Sequence, residues 1–292
     1  MSKQILITGC SSGFGFDAAK HLASKGHQVH ATMRDTATRN QAKAQALRDF
    51  AKENGLKIGV HEMDVTSDAS VQAAVSDMPV LDVVINNAGL GYGGPVETFT
   101  SEQVLAQLDL NIVGTVRVAR AVLPAMRNQG SGLIIQVTST AGRGAFPGFG
   151  VYHASKWGLE GLSEAMRYEL APLGIDVVIV EPGPFSTSFF DNMVAGKEPD
   201  RAADYSHIAA FGEGFTRMVL EAFENDEAPT DPMIVVETFE KLIDTPAGQR
   251  PLRTIAGMDF GLQAINDATE GIRKELLKGM QIADWDGPRG KR

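Results

Sequence analysis

The sequence predicts an α/β fold: a doubly wound parallel sheet in a single domain with a C-terminal helical extension. Three observations carry this. Short aliphatic and β-branched runs alternate with amphipathic stretches of helical period. Those runs are apolar almost throughout, not at every second residue, which is the pattern of parallel strands covered on both faces. A glycine-rich turn follows the first run and leads into a helix. A βαβα rhythm with buried strands points to a parallel sheet sandwiched between helices.

The elements follow in order. Residues 4–8 are apolar and stop at Gly9, a buried strand. Residues 13–25 read as a helix closed by Gly26, and 28–33 as the second strand. A polar helix covers about 37–54 and ends at Asn54-Gly55, a left-handed stop signal. A third strand spans 56–62, a short helix 67–76, and a fourth strand 80–86 that runs into Asn87-Ala88-Gly89. A long helix covers 101–127, a strand 132–138, a helix 152–170 and a strand 175–181. After Pro182 the rhythm changes. Residues 188–216 carry no strand signal; helical patterns follow near 214–225 and 231–243, with a short strand near 252–255. A helix near 259–280 and a polar tail, 286–292, finish the chain. No Pro/Gly/Ser linker divides it, so one domain is expected, with 1–187 as core and 188–292 as substrate lid and extension.

Hydrophobic residues make up 43 % and charged residues 22 % of the 292, enough apolar content for a buried core. The net charge of −9 lacks the basic footprint of a nucleic-acid binder and offers no attraction to anionic lipid. One cysteine, Cys10, allows no internal disulfide. No apolar run approaches the length of a membrane span, and the first apolar run is a strand and not a leader. The expectation is a cytoplasmic protein with no nucleic-acid or membrane partner. The six histidines show no ligand spacing, so no metal is expected.

Thr8-Gly9-Cys10-Ser11-Ser12-Gly13-Phe14-Gly15 joins the first strand to the first helix. Its glycines allow a tight turn and close approach of a pyrophosphate, and the helix N-terminus offers free N–H groups and a positive dipole end. At this junction the loop indicates a dinucleotide site of the Rossmann type. An NAD site has an acid at the end of the second strand, on the ribose 2′-hydroxyl. Here Met33 holds that place and Arg34 follows, a guanidinium suited to a 2′-phosphate. NADP(H) is therefore favoured, with NAD(H) the alternative because Asp35 reaches the ribose if the register slips by one. Ser11 or Ser12 can add a hydroxyl. Asp64 can accept from the adenine amino group or cap the next helix; its position allows both.

Tyr152 and Lys156 lie four residues apart and share one helix face. An ammonium near a phenol favours the phenolate and is expected to lower its pKa, making tyrosine an acid/base for hydride chemistry. Ser139 ends the fifth strand, in the layer where open parallel sheets bind ligands, and can hydrogen-bond a substrate oxygen. Asn111 sits inside a helix, where asparagine is disfavoured, and can hold a water on a path towards Lys156. His153, next to Tyr152, points elsewhere on the helix. Ser139 lacks the context of a hydrolase elbow.

These motifs, with Asp64-Val65, Asn86-Asn87-Ala88-Gly89 and Pro182-Gly183 through Thr187, resemble the short-chain dehydrogenase/reductases in order and spacing over residues 4–187. Thr32 to Asp35 and Glu181 to Pro184 look like the 17β-hydroxysteroid and retinol dehydrogenase branch. The resemblance implies a catalytic tetrad of Asn111, Ser139, Tyr152 and Lys156. Ser139 would orient the oxygen, Tyr152 exchange the proton, Lys156 bind the nicotinamide ribose and tune the tyrosine, and Asn111 anchor a water. Gly9, Ser11, Ser12, Gly13, Phe14, Gly15, Arg34, Asp64, Val65, Asn87, Ala88 and Gly89 would bind cofactor. So would Pro182 and Gly183, against the nicotinamide, and Thr187 on its carboxamide. The implied partner is a small-molecule alcohol or ketone, and the fold's analogues suggest a homodimer or homotetramer paired through the fourth and fifth helices.

Phe185, Phe189, Phe190, Met193, Phe211, Phe215 and Met218 suggest an apolar lid, with Phe146 and Phe149 lining the pocket. Two other functions fit parts of the pattern. One is a cofactor-sensing binding protein without turnover, which has no need of an activated tyrosine. The other is a nucleotide-sugar epimerase or dehydratase, for which the chain after Thr187 is short.

Overall fold

The structure is a computed structural model that describes residues 2–225 and 227–289. Its strands and helices follow the expected alternation: β1 (Gln4–Ile7), α1 (Gly13–Ser24), β2 (Gln28–Met33), α2 (Gln41–Glu53), β3 (Ile58–Glu62), α3 (Asp68–Ser76) and β4 (Val83–Asn86). Then come α4 (Ser101–Leu108), α5 (Gly114–Gln129), β5 (Gly132–Val137), α6 (Gly150–Leu170) and β6 (Ile175–Pro182). The last are α7 (Ser206–Phe223), α8 (Met233–Asp244), β7 (Arg253–Ala256) and α9 (Gln263–Gly279). Gly26 and Gly55 both take the left-handed conformation expected after α1 and α2 (φ +89° and +64°).

All seven strands form one parallel sheet in the order β3-β2-β1-β4-β5-β6-β7. The chain winds outward through β2 and β3, then returns to place β4 on the other side of β1. The helices that follow β1 and β4 pack on opposite faces of the sheet, and this reversal leaves a crevice at the carboxyl edge, the ligand site of such sheets. Alternation along each strand splits the core in two. Ile5 and Ile7 pack with Leu22, Leu47, Phe239 and Leu242 on one face; Leu6 packs with Val118, Val122 and Met126 on the other.

The region after residue 187 departs from a simple extension. β7 pairs in register with β6, Pro182 opposite Ala256, and so completes the sheet. The buried side chains of α8 join the core cluster of α1 and α2. α7 begins at Ser206, eight residues earlier than its amphipathic pattern suggests, because its N-terminal half is largely exposed and carries little apolar signal. The expected 286–292 tail is anchored at its start: Asp286 accepts from Arg167 (2.8 Å) and Arg273 (2.8 Å). Residues 290–292 of that tail lie outside the described residues.

The expected 101–127 helix is two helices. A π-turn over Asp109–Val113 separates α4 from α5, and the Gly114 amide donates to the Asp109 carbonyl five residues back. One residue too many in the turn swings Asn111 inward to complete burial, a displacement typical of functional positions. No helix among the described residues is long and apolar enough to cross a membrane.

Candidate active site

A cleft of about 580 Å³ lies along the carboxyl edge of the sheet, over the reversal between β1 and β4. Its floor at one end is the β1–α1 loop. Gly9 takes φ +74°, and a Cβ there would lie 2.8 Å from the Ala88 Cα, so only glycine lets the two loops touch. Ser12 precedes α1 without a side-chain cap on the helix amides. Ser11, Ser12, Gly13 and Phe14 all line the cleft, so uncapped N–H groups meet a side-chain-poor surface there. That surface fits a pyrophosphate.

The β4 loop is fastened to this one. Thr8 Oγ1 accepts from the Asn87 and Ala88 amides (both 3.0 Å), and Asn87 Nδ2 donates to the Thr8 and Gly9 carbonyls (2.9 and 3.2 Å). Asn87, Ala88 and Gly89 line the cleft, but the Asn87 amide N–H groups are spent on clamping the loops. Gly15 does not line the cleft. A Cβ there would sit 2.5 Å from the Gly9 carbonyl and 2.6 Å from Asn87 Nδ2, so the loop packing requires glycine at this position. Cys10 is buried, its Sγ donates to the Ile7 carbonyl, and burial pushes its thiol up to about 12, which leaves it unreactive.

At the β2 end, Met33, Arg34, Arg39 and Asn40 line the cleft and Asp35 does not. Asp64 and Val65 line it opposite. Asp64 Oδ1 accepts from the Thr66 amide and hydroxyl (2.9 and 2.7 Å). Ser67 caps α3, which removes that role from Asp64 and leaves its carboxylate beside the cleft.

At the other end, Ser139 leaves β5, and Tyr152 and Lys156 project from the first turns of α6; all three line the same wall. Lys156 Nζ lies 5.8 Å from the Tyr152 ring centre and donates to the Val137 carbonyl at 3.0 Å. Ser139 Oγ accepts from the Ala141 amide and donates to the Pro182 carbonyl (3.1 and 3.3 Å), which fixes the hydroxyl between β5 and the Pro182-Gly183 turn. That turn is tight: a Cβ on Gly183 would lie 2.1 Å from the Met258 carbonyl oxygen. Pro182, Gly183 and Thr187 line the cleft.

The electrostatics differ from the expectation for Tyr152. Burial pushes the phenol up to about 12, with the Ser139 hydroxyl pulling the other way. Burial pulls the Lys156 ammonium down to about 8, with the Glu160 carboxylate opposing. Desolvation outweighs the Ser139 hydroxyl at the phenol, and the Lys156 ammonium does not bring it down as its spacing led one to expect.

Asn111 stands behind this wall and does not line it. Its Nδ2 donates to the Ser155 hydroxyl (2.9 Å) and the Leu90 carbonyl (3.1 Å), and its Oδ1 accepts from the Leu90 amide (3.2 Å). A Cβ on Gly89 would fall 3.4 Å from Asn111 Oδ1 and 3.7 Å from Lys156 Nζ, so both polar groups come close to this glycine.

A family model described as short chain dehydrogenase matches residues 3–198. The chain belongs to the short-chain dehydrogenases. It is 40 % identical to a 3-ketodihydrosphingosine reductase of Bacteroides thetaiotaomicron over 206 residues, 69 % of this chain and 71 % of that one. It is 36 % identical to the human 17-beta-hydroxysteroid dehydrogenase type 1 over 247 residues, 83 % of this chain and 74 % of that one. A structure of an actinorhodin polyketide ketoreductase variant with NADPH superposes with a TM-score of 0.72, at 27 % identity, over 89 % of this chain and 97 % of that one. As a short-chain dehydrogenase the protein is an oxidoreductase that interconverts CH–OH and C=O groups with a nicotinamide cofactor.

Several cleft residues of this dehydrogenase carry no motif. Arg39 and Asn40 follow a loop of irregular length, and the Val137 carbonyl under Lys156 is backbone; sequence offers no signal for either. Phe146, Phe149, Phe185, Phe189, Phe190 and Phe215 line the cleft as expected, and Phe260 joins them from the loop after β7. Met193, Phe211 and Met218 do not line it. Met193 packs on Gly93, and Phe211 and Met218 are partly exposed. His153 is buried with both ring nitrogens engaged, Nδ1 with the Ala141 carbonyl (2.8 Å) and Nε2 with the Phe146 amide (3.1 Å). The cover over the phenylalanines is strapped down. Val194 and Gly91–Gly93 exchange two backbone bonds of 3.0 Å, and the Gln103 side chain bridges the Ala195 carbonyl and Lys197 amide (2.9 Å each).

Proposed function

We propose that this dehydrogenase prefers NADP(H) and acts on an apolar or aromatic alcohol or ketone, with Tyr152 as acid/base, Ser139 orienting the reacting oxygen, Lys156 stabilising the phenolate and Asn111 supporting a proton path. The observation that carries the reading is the shared wall: Ser139, Tyr152 and Lys156 flank one end of a cleft whose other end holds Arg34 and Arg39.

Gly9, Ser11, Ser12, Gly13, Phe14, Asp64, Val65 and the Asn87-Ala88-Gly89 turn would hold the dinucleotide, with Pro182, Gly183 and Thr187 at its nicotinamide end. When bound, the nicotinamide supplies or accepts the hydride. The Ser139 hydroxyl would turn its one hydrogen from the Pro182 carbonyl to the carbonyl oxygen of the substrate and polarise it. Tyr152 gives that oxygen its proton in reduction and takes it back in oxidation. A phenol near 12 is a reluctant acid, and the Lys156 ammonium across its face stabilises the phenolate left behind. Asn111 Oδ1 and Lys156 Nζ both lie close to Gly89, and a water held near them would link the lysine to the proton path.

Six phenylalanine side chains support an apolar substrate. Phe146 packs against Phe149 and Phe215 (centres 5.2 Å from each), and Phe189 lies 5.5 Å from Tyr152 itself. Exposed Val113 and Trp157, on the α5 and α6 side, support assembly into a homodimer or homotetramer. The test is loss of reduced-nicotinamide absorbance with a panel of apolar ketones. Tyr152→Phe is expected to lower kcat by about a thousandfold while cofactor still binds; turnover equal to wild type would remove the mechanism.

A further inference from the structure

The loop after β2 carries two arginines that reach the cleft and an aspartate that does not, and its shape is imposed from the next strand. Glu62 ends β3, in register with Met33. Its carboxylate accepts from the Asp35 amide (2.6 Å), the Thr36 amide (2.7 Å) and the Thr36 hydroxyl. Asp35 is thereby held in the left-handed region at φ +57°, unusual outside glycine. From that bend the Asp35 carbonyl accepts from the Thr38 and Asn40 amides (3.1 and 2.9 Å), and Asn40 Nδ2 donates to the Arg34 carbonyl (2.7 Å). The result is a closed hairpin that returns Arg39 and Asn40 to the cleft beside Arg34 and leaves Asp35 and Glu62 out of its lining.

We propose that Glu62 is a positioning residue for the adenosine 2′-phosphate of the cofactor and that Arg39 is a second arm of that site, so that a carboxylate on the neighbouring strand sets the preference for NADP(H) over NAD(H). This rests on the NADP(H) reading above. The three neutral donors that Glu62 accepts from stabilise its carboxylate and aim it at the backbone. The hairpin excludes Asp35, the acid that would otherwise repel a phosphate, and brings together two guanidinium groups that suit a dianion.

The sign of the effect separates this from simple proximity. If Glu62 were only a nearby charge, its removal would tighten binding of a 2′-phosphate. A positioning role predicts the reverse. The test is calorimetric binding of adenosine 2′,5′-bisphosphate and of 5′-AMP to wild type, Glu62→Ala, Glu62→Gln and Arg39→Ala. Wild type is expected to prefer the bisphosphate. Glu62→Ala and Arg39→Ala should each weaken the bisphosphate by about tenfold, the size of a lost charge-assisted contact, and leave AMP within about twofold. Glu62→Gln keeps an acceptor and should restore part of the loss. With Glu62→Ala already present, Arg39→Ala should add little, since Arg39 depends on the hairpin. Unchanged or tighter bisphosphate binding by Glu62→Ala overturns the inference while leaving the NADP(H) reading intact. A wild type that binds both probes equally overturns both.

Discussion

Replacing Lys156 with methionine separates what its ammonium costs the fold from what it does for the chemistry. Lys156 is 6 % exposed, and burial pulls its pKa from 10.5 to about 8. The unfolded chain holds the same proton at the ordinary lysine value. The gap of about 2.5 on the pH scale, at ~1.36 kcal/mol each, makes the charged side chain a burden of about 3 kcal/mol at neutral pH. Methionine removes that burden but strands the Val137 carbonyl, which accepts from Nζ, and an unpaired buried carbonyl costs about 1–3 kcal/mol. The variant should therefore be as stable as wild type or up to about 2 kcal/mol more stable at pH 7, and inactive. The pH dependence is sharper, because the stranded carbonyl does not titrate. Between about pH 8 and 10.5 the unfolded chain binds more protons at this site than the folded one, so wild type gains stability as pH rises through that window. The methionine variant lacks that gain, and its advantage should shrink by about 3 kcal/mol from pH 7 to above 10.5. Urea titrations of both proteins by circular dichroism across this range measure the difference directly. A difference that stays constant with pH would refute the reasoning.

Two further substitutions probe the frame. Asp176 is fully buried and accepts from Arg167 (2.9 Å) and Arg250 (3.0 Å). Asp176→Ala leaves the buried Arg250 guanidinium without its counter-charge and Arg167 with Asp286 alone, and should cost about 3–5 kcal/mol, read as a fall in Tm or in the urea midpoint. Gly9→Ala places a Cβ 2.8 Å from the Ala88 backbone at a positive φ. It should raise the KM for NADPH by about tenfold or more with little change in far-ultraviolet dichroism, because the loop must shift against the cofactor surface.

The strands were legible because burial on both faces writes a continuous apolar run, and a run bounded by turns has few other readings. The candidate site was legible for a similar local reason. Tyr152 and Lys156 share a helix face by spacing alone, and the Gly9–Gly15 turn marks a strand–helix junction wherever it occurs. Helix ends were read less well where no cap spoke for them. α7 starts early behind an exposed, weakly patterned turn, and nothing in the 101–127 pattern marked the π-turn at Asp109–Val113, which adds one residue without breaking the apolar stripe.

By itself the sequence determined the parallel sheet, the glycine turn between β1 and α1 and the residue types at the carboxyl edge, because each depends on periodicity or on neighbours within one turn. Tertiary structure alone decided that β7 and α8 belong to the sheet and its core, that Asn111 is spent on Leu90 and Ser155, and that Gly15 packs inward. It also decided the proton affinities: Tyr152 is held high and Lys156 low because both lose water on burial, a quantity set by everything packed around them and not by their spacing. The same holds for the arginine hairpin, where a carboxylate 27 residues from Asp35 fixes which side chains face the cleft.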